Sequence, residues 1–179
     1  MQQYESGNLM KGDNKVTPLK IQSYFVEKQK QSDGENTIVS GHLQCCNSQD
    51  FEVLIFGEVK KHLFSNPSLY PKNDCIALAV RCKKCGRVIT VFNSTCDGYE
   101  NVSEKRTASE PLNIDFEYRC GKCSENNFSI EIKYEYPDIQ ELKDLEISNI
   151  DNAFTWIWIT LKCNHCGKTY KNFISFETA

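Results

Sequence analysis

Eight of the ten cysteines in this 179-residue chain fall into four groups. Three are Cys-x-x-Cys pairs: Cys82/Cys85, Cys120/Cys123 and Cys163/Cys166. The fourth is compressed to the adjacent residues Cys45 and Cys46, with His42 three residues before the first. Successive groups begin about forty residues apart, at 45, 82, 120 and 163. A single Cys-x-x-Cys arises by chance or as a redox motif, whereas repeated pairs at near-regular spacing point to metal knuckles. Two thiolates separated by two residues sit on one tight turn and face one ion. Two such turns present four sulfurs in the tetrahedron that zinc accepts most readily. Iron takes the same ligands. The candidate ligand sets are Cys120, Cys123, Cys163 and Cys166 in the second half, and Cys82, Cys85, Cys45 and Cys46 in the first.

Gly86 and Gly167 each follow the second cysteine of a pair. Glycine there takes a positive φ without steric cost and lets the chain wrap the ion. Arg81, Lys83, Lys84, Arg87, Lys162 and Lys168 flank these pairs. They suit either compensation of a negatively charged four-thiolate centre or ordinary solvation. The compressed group admits three alignments: Cys46 on Cys123 without a gap, both cysteines retained with two residues deleted, or His42-x-x-Cys45 as a histidine-containing knuckle. Neighbouring side chains diverge on an extended backbone, so adjacent cysteines are expected to chelate poorly and to form the least regular of the four turns.

The elements that would carry these knuckles are strands. Residues 128–136 alternate polar and apolar with a period of two, and residues 154–161 are rich in aromatic and β-branched types. Pairing of these two would bring the last two knuckles together. The matching strands of the first half are residues 51–59 and 75–81. The run 76–86 aligns with 157–167, with Phe92 and Ser94 then on Phe173 and Ser175, and the run 46–53 aligns with 123–130. This is the pattern of an internal duplication. It divides the chain into a polar N-terminal segment (1–36), a first module (37–100), a linker (101–111) and a second module (112–179), and the modules are expected to share one strand order. Ile139, Leu142 and Leu145 allow a short helix within 137–145, and residues 19–27 are the best candidate for an added edge strand.

Two tandem modules of paired β-hairpins, each presenting cysteine knuckles to a shared ion, resemble zinc ribbons and rubredoxin-like proteins. The resemblance covers most of residues 37–179 and is closest in the second module, residue for residue at Cys120, Cys123, Cys163 and Cys166. It implies a mostly β, antiparallel fold around zinc and names no activity, because such modules serve many functions.

The remaining chemistry-bearing residues have plainer readings. Cys75 is expected as a small buried residue, Cys96 as an exposed thiol in a turn, and His62 as a surface residue. His165, inside a knuckle, is expected to point away from the ion. Trp156 and Trp158 share one strand face and are expected as core or a strand-packing ladder, with a binding surface as the alternative. No apolar leader and no membrane-spanning run is visible, which points to a reducing cytoplasm with cysteines held as thiolates rather than disulfides. No phosphate-binding loop, nucleophile elbow or zinc-protease motif occurs, and four thiolates close the metal shell, so no enzyme is expected. A net charge of −3, with eleven acidic against four basic residues between 110 and 151, disfavours nucleic acid. A protein partner, met as an interaction module or an immunity-type inhibitor, is the expected function, and nucleic-acid binding is the alternative.

Overall fold

The computed structural model describes residues 16–61, 63, 65–104, 112–114 and 116–178. It is mostly β. A nine-stranded antiparallel sheet is joined by a two-stranded hairpin and three short helices. In chain order the strands are β1 (Phe25–Ser32), β2 (Asn36–Leu43), β3 (Phe51–Phe56), β4 (Glu58–Lys60), β5 (Ser68–Tyr70), β6 (Ala77–Cys82), β7 (Val88–Asn93), β8 (Phe116–Tyr118), β9 (Phe128–Pro137), β10 (Trp156–Cys163) and β11 (Thr169–Glu177). The helices are α1 (Leu19–Gln22), α2 (Tyr99–Ser103) and α3 (Ile139–Asp144).

Two three-stranded meanders form the frame. One is β3-β6-β7 and the other β9-β10-β11. Next to the knuckles their registers correspond: Phe51 faces Cys82 as Phe128 faces Cys163, and Arg81 faces Val88 as Lys162 faces Thr169. Farther on they separate by one residue. Leu78 faces Phe92, but its aligned residue Ile159 faces Ile174 rather than Phe173, because the two meanders carry different irregularities.

The meanders meet at one pair, Phe51 opposite Phe128. Around this point each half lends its first strand to the other: β2 pairs with β9, and β8 pairs with β3. One register step beyond His42↔Glu131 sets Leu43 opposite Ile130, the counterpart of Tyr118 opposite Val53. This correspondence fits the alignment with a two-residue deletion, in which Cys45 matches Cys120 and Cys46 matches Cys123. The halves therefore share one continuous sheet rather than standing as separate beads.

The core is also common to both. Tyr118, Phe128, Tyr170 and Phe173 pack with ring centroids 4.5–6.2 Å apart, and Phe92, Tyr134, Tyr136 and Phe154 form a second aromatic group. The alternating pattern of β9 puts Phe128, Ile130, Ile132, Tyr134 and Tyr136 inside.

Several expectations shift. The edge strand begins at Phe25, after α1, and runs to Ser32 rather than spanning 19–27. Seven of its eight residues are exposed, so no hydrophobic period announced it. Its signal was Asp33-Gly34, a hairpin turn in which the Asp33 carboxylate accepts from the amides of Glu35 and Asn36 and Gly34 takes φ 94°. The strand expected over 51–59 breaks at Gly57 (φ 143°), and β4 turns away to pair with β5. The helix near 139 forms with Asp138 as its cap, burying Leu142 but leaving Leu145 exposed beyond its end. Cys75 closes a turn with Lys72 and is half-buried, not a core residue. Cys96 is exposed in its turn. His62, residues 1–15 and residues 105–111 of the expected linker lie outside the described residues.

Candidate metal centres

Each knuckle sits where a strand ends, so strand pairing brings the cysteines together. In the second half, β9–β10 pairing sets Phe128 beside Cys163 and folds the turn at Cys120–Cys123 over the one at Cys163–Cys166. Cys120 Sγ lies 3.5 Å from Cys166 Sγ, and Cys123 Sγ lies 3.6 Å from Cys163 Sγ. In the first half, Cys45 Sγ lies 3.7 Å from both Cys46 Sγ and Cys85 Sγ. Within each group of four all sulfurs lie within 4.8 Å of one another. Four sulfurs bound at the usual Zn–S length of about 2.3 Å stand roughly 3.8 Å apart in a tetrahedron, whereas a disulfide needs about 2.05 Å. All ten cysteines are free. Both sets could hold a metal ion, and the donor set suits a soft or borderline cation.

The first centre departs from the expectation of a poor chelate. Cys46 and Asn47 adopt left-handed backbone, φ 54° and 57°, and Cys45 and Ser48 exchange backbone hydrogen bonds across the turn. Divergence of neighbouring side chains holds on an extended strand. Here the chain reverses at once, and both sulfurs come to one side. His42 is not a member of the cluster. It lies in β2 between Val26 and Glu131, and burial, then nearby Lys28, lower its basicity. His165 is exposed and likewise outside its cluster. Gly86 and Gly167 take φ 74° and 73°, as a wrapping turn requires, and their amides donate to Cys82 and Cys163 carbonyls.

The thiols of each cluster hold their protons unequally. Burial pushes Cys120 up, but hydrogen bonds from the Tyr170 hydroxyl and the Lys122 and Cys123 amides outweigh it and bring it down to about 6. Burial and hydrogen bonds to Cys85, Cys46 and Cys82 push Cys45 up to about 12. The Arg87 amide, with the sulfurs of Cys46 and Cys45, lowers Cys85 to about 7. Protons are thus shared among crowded sulfurs, and a bound cation would replace them with one central charge.

Two residues with roles at these centres carried no sequence signal. Tyr170, on β11, is buried; its hydroxyl lies 3.2 Å from Cys120 Sγ and accepts from the Gly121 amide at 2.8 Å. Asn164, inside the last knuckle, donates to the Gln49 carbonyl, the Asp50 carboxylate and the Asn127 side chain, tying the two centres' turns together. The flanking cations divide. Arg81 pairs with Glu52 at 2.7 Å, Lys84 donates to the Cys46 carbonyl at 3.0 Å, and Arg87 donates to the Tyr24 hydroxyl. Trp156 and Trp158 stack at 5.5 Å on the outer face of β10, with the Lys133 ammonium 3.9 Å from the Trp158 ring. They form a surface ladder, not core. No helix among the described residues is long and apolar enough to cross a membrane.

Compared with known family models, curated proteins and solved structures, the chain gives no match. The centres and the fold alone define its class: a mostly β protein with two four-cysteine sites suited to metal.

Proposed function

We propose that the chain is a non-catalytic zinc protein of the reducing cytoplasm, in which two zinc–thiolate centres staple a shared sheet that binds another protein. Zinc is the ion adopted in this reading because a closed tetrahedral four-thiolate set is its usual structural site, although iron takes the same ligands. The observation that carries the reading is the closed set of four sulfurs at each centre, which leaves no coordination position for substrate. Each centre, once loaded, adds about two negative charges relative to its thiols, taking the chain from −3 to roughly −7. The lysines at the knuckles are then largely compensated, and phosphate is a poor partner.

The favoured contact is the acidic segment around α3, where Glu141, Asp144 and Glu146 are exposed beside Leu145. Such a surface suits a basic protein, as an immunity-type inhibitor would meet. A second reading, binding of nucleic acid, draws on Lys61, Lys122 and Lys168 around a groove with Gly121 and Tyr170 beside the second centre. Elemental analysis should find two zinc ions per chain. Binding to random duplex and single-stranded nucleic acid at about 0.15 M salt should be absent. Micromolar binding that is lost on neutralising Lys61, Lys122 and Lys168 would overturn the protein-partner reading in favour of the second.

A further inference from the structure

Because β2, β3, β6 and β7 correspond to β8, β9, β10 and β11 and their registers agree next to the knuckles, the two centres can be compared position by position. In the second, Gly121 and Lys122 form the turn between the ligands. The buried Tyr170 hydroxyl lies 3.2 Å from Cys120 Sγ and accepts from the Gly121 amide within that turn. In the first, no residue stands between Cys45 and Cys46, so the turn residue whose amide reaches the Tyr170 hydroxyl has no counterpart. The position matching Tyr170 is Ile89, which has no hydroxyl. The accessible surface differs in the same direction. Cys46 and Cys85 are exposed, whereas Cys123 and Cys166 are half-buried and the other four ligands are buried.

These differences bear on ion exchange. An incoming chelator or cation must reach a sulfur or the ion itself, and burial blocks that approach. Hydrogen bonds donated to a coordinated thiolate spread its charge and hold it in place, and losing such partners typically costs metal affinity by roughly 10–100-fold. Resting on the zinc reading above, we infer that the two centres differ in kind: the second keeps its ion as a structural staple, and the first is an exchange site through which a thiophilic cation enters and leaves past Cys46 and Cys85. The exchange moves no electrons. One divalent ion such as cadmium replaces one zinc with all four sulfurs remaining thiolates, or a chelator removes zinc and the sulfurs take up protons from water.

The test uses the full chain loaded with zinc. It is challenged with an excess of a chelator that changes colour on binding zinc, in parallel with cadmium, while iodoacetamide labels released cysteines for peptide mapping. One equivalent of zinc should leave roughly 10–100-fold faster than the other, with Cys46 and Cys85 labelled in that phase. Tyr170→Phe should accelerate only the slow phase. Both ions leaving in a single phase, or early labelling of Cys123 and Cys166, would overturn the inference while leaving the zinc reading intact. A chain that takes up no zinc would overturn both. If Tyr170→Phe does not fold, the phases and labels of the unaltered chain still decide.

Discussion

Replacing Cys163 with serine attacks the second centre where the structure leans on it most. Cys163 is fully buried at the end of β10, opposite Phe128, with its sulfur 3.6 Å from that of Cys123. Structural zinc contributes an apparent ~10–16 kcal/mol in small modules, or ~2.5–4 kcal/mol for each of four ligands. The loss falls on β8, a strand of only three residues that pairs with β3 and delivers Tyr118 to the core next to the Cys120 turn. Without the ion, β8 keeps only its three-residue pairing with β3 and the ring contacts of Tyr118. A deficit of ~2.5–4 kcal/mol should lower the melting temperature by roughly 5–16 °C for a chain of this size. The same deficit should weaken the second zinc by roughly 10²–10³-fold, so that a chelator removes it first, and should reduce the near-ultraviolet signal from Tyr118 and Tyr170. Elemental analysis and thermal melts followed by circular dichroism measure these effects together. A Cys163→Ser protein that keeps two zinc ions and its full melting temperature would refute the reasoning.

Other outcomes follow from the core. The Tyr134 hydroxyl is fully buried and has no hydrogen-bond partner among the described residues, so Tyr134→Phe should stabilise by up to about 1–3 kcal/mol, and a clear loss in a denaturant titration would contradict that. Gly41→Ala would drive a methyl into the Val26 carbonyl and the Phe25 ring, and should destabilise by about 1–3 kcal/mol while exposing β1 to protease. Burial holds Tyr134 and Tyr136 protonated well above 10 and Tyr118 up to about 12, whereas the unfolded chain ionises its tyrosines near 10. Their contribution is complete below pH 10 and lost as pH rises beyond it. The part of the phenolate absorbance that belongs to these three, lost in their Phe variants, should therefore appear together with loss of strand signal rather than ahead of it.

The sequence alone determined what is local. Two cysteines on one tight turn chelate whatever the rest of the chain does, so the knuckles and the grouping of eight cysteines into two sets of four were legible from spacing. Period-two alternation marked β9, and aromatic and β-branched content marked β10, because side chains of a half-buried strand must alternate. Tertiary structure decided the rest. The polar strand β1 has no apolar period and is held by its hairpin with β2, by the packing of Phe25 on Tyr134 and by the Lys28–Glu131 ion pair. Whether Cys45 and Cys46 can face one site depended on a left-handed turn at Cys46, which spacing does not encode. The exchange of β2 and β8 between halves, the Asn164 bridge and the Tyr170 contact with Cys120 join residues tens of positions apart. Only the closing of the shared sheet around Phe51 and Phe128 brings those groups within bonding distance, and that closure gives the two similar knuckle sets unequal surroundings.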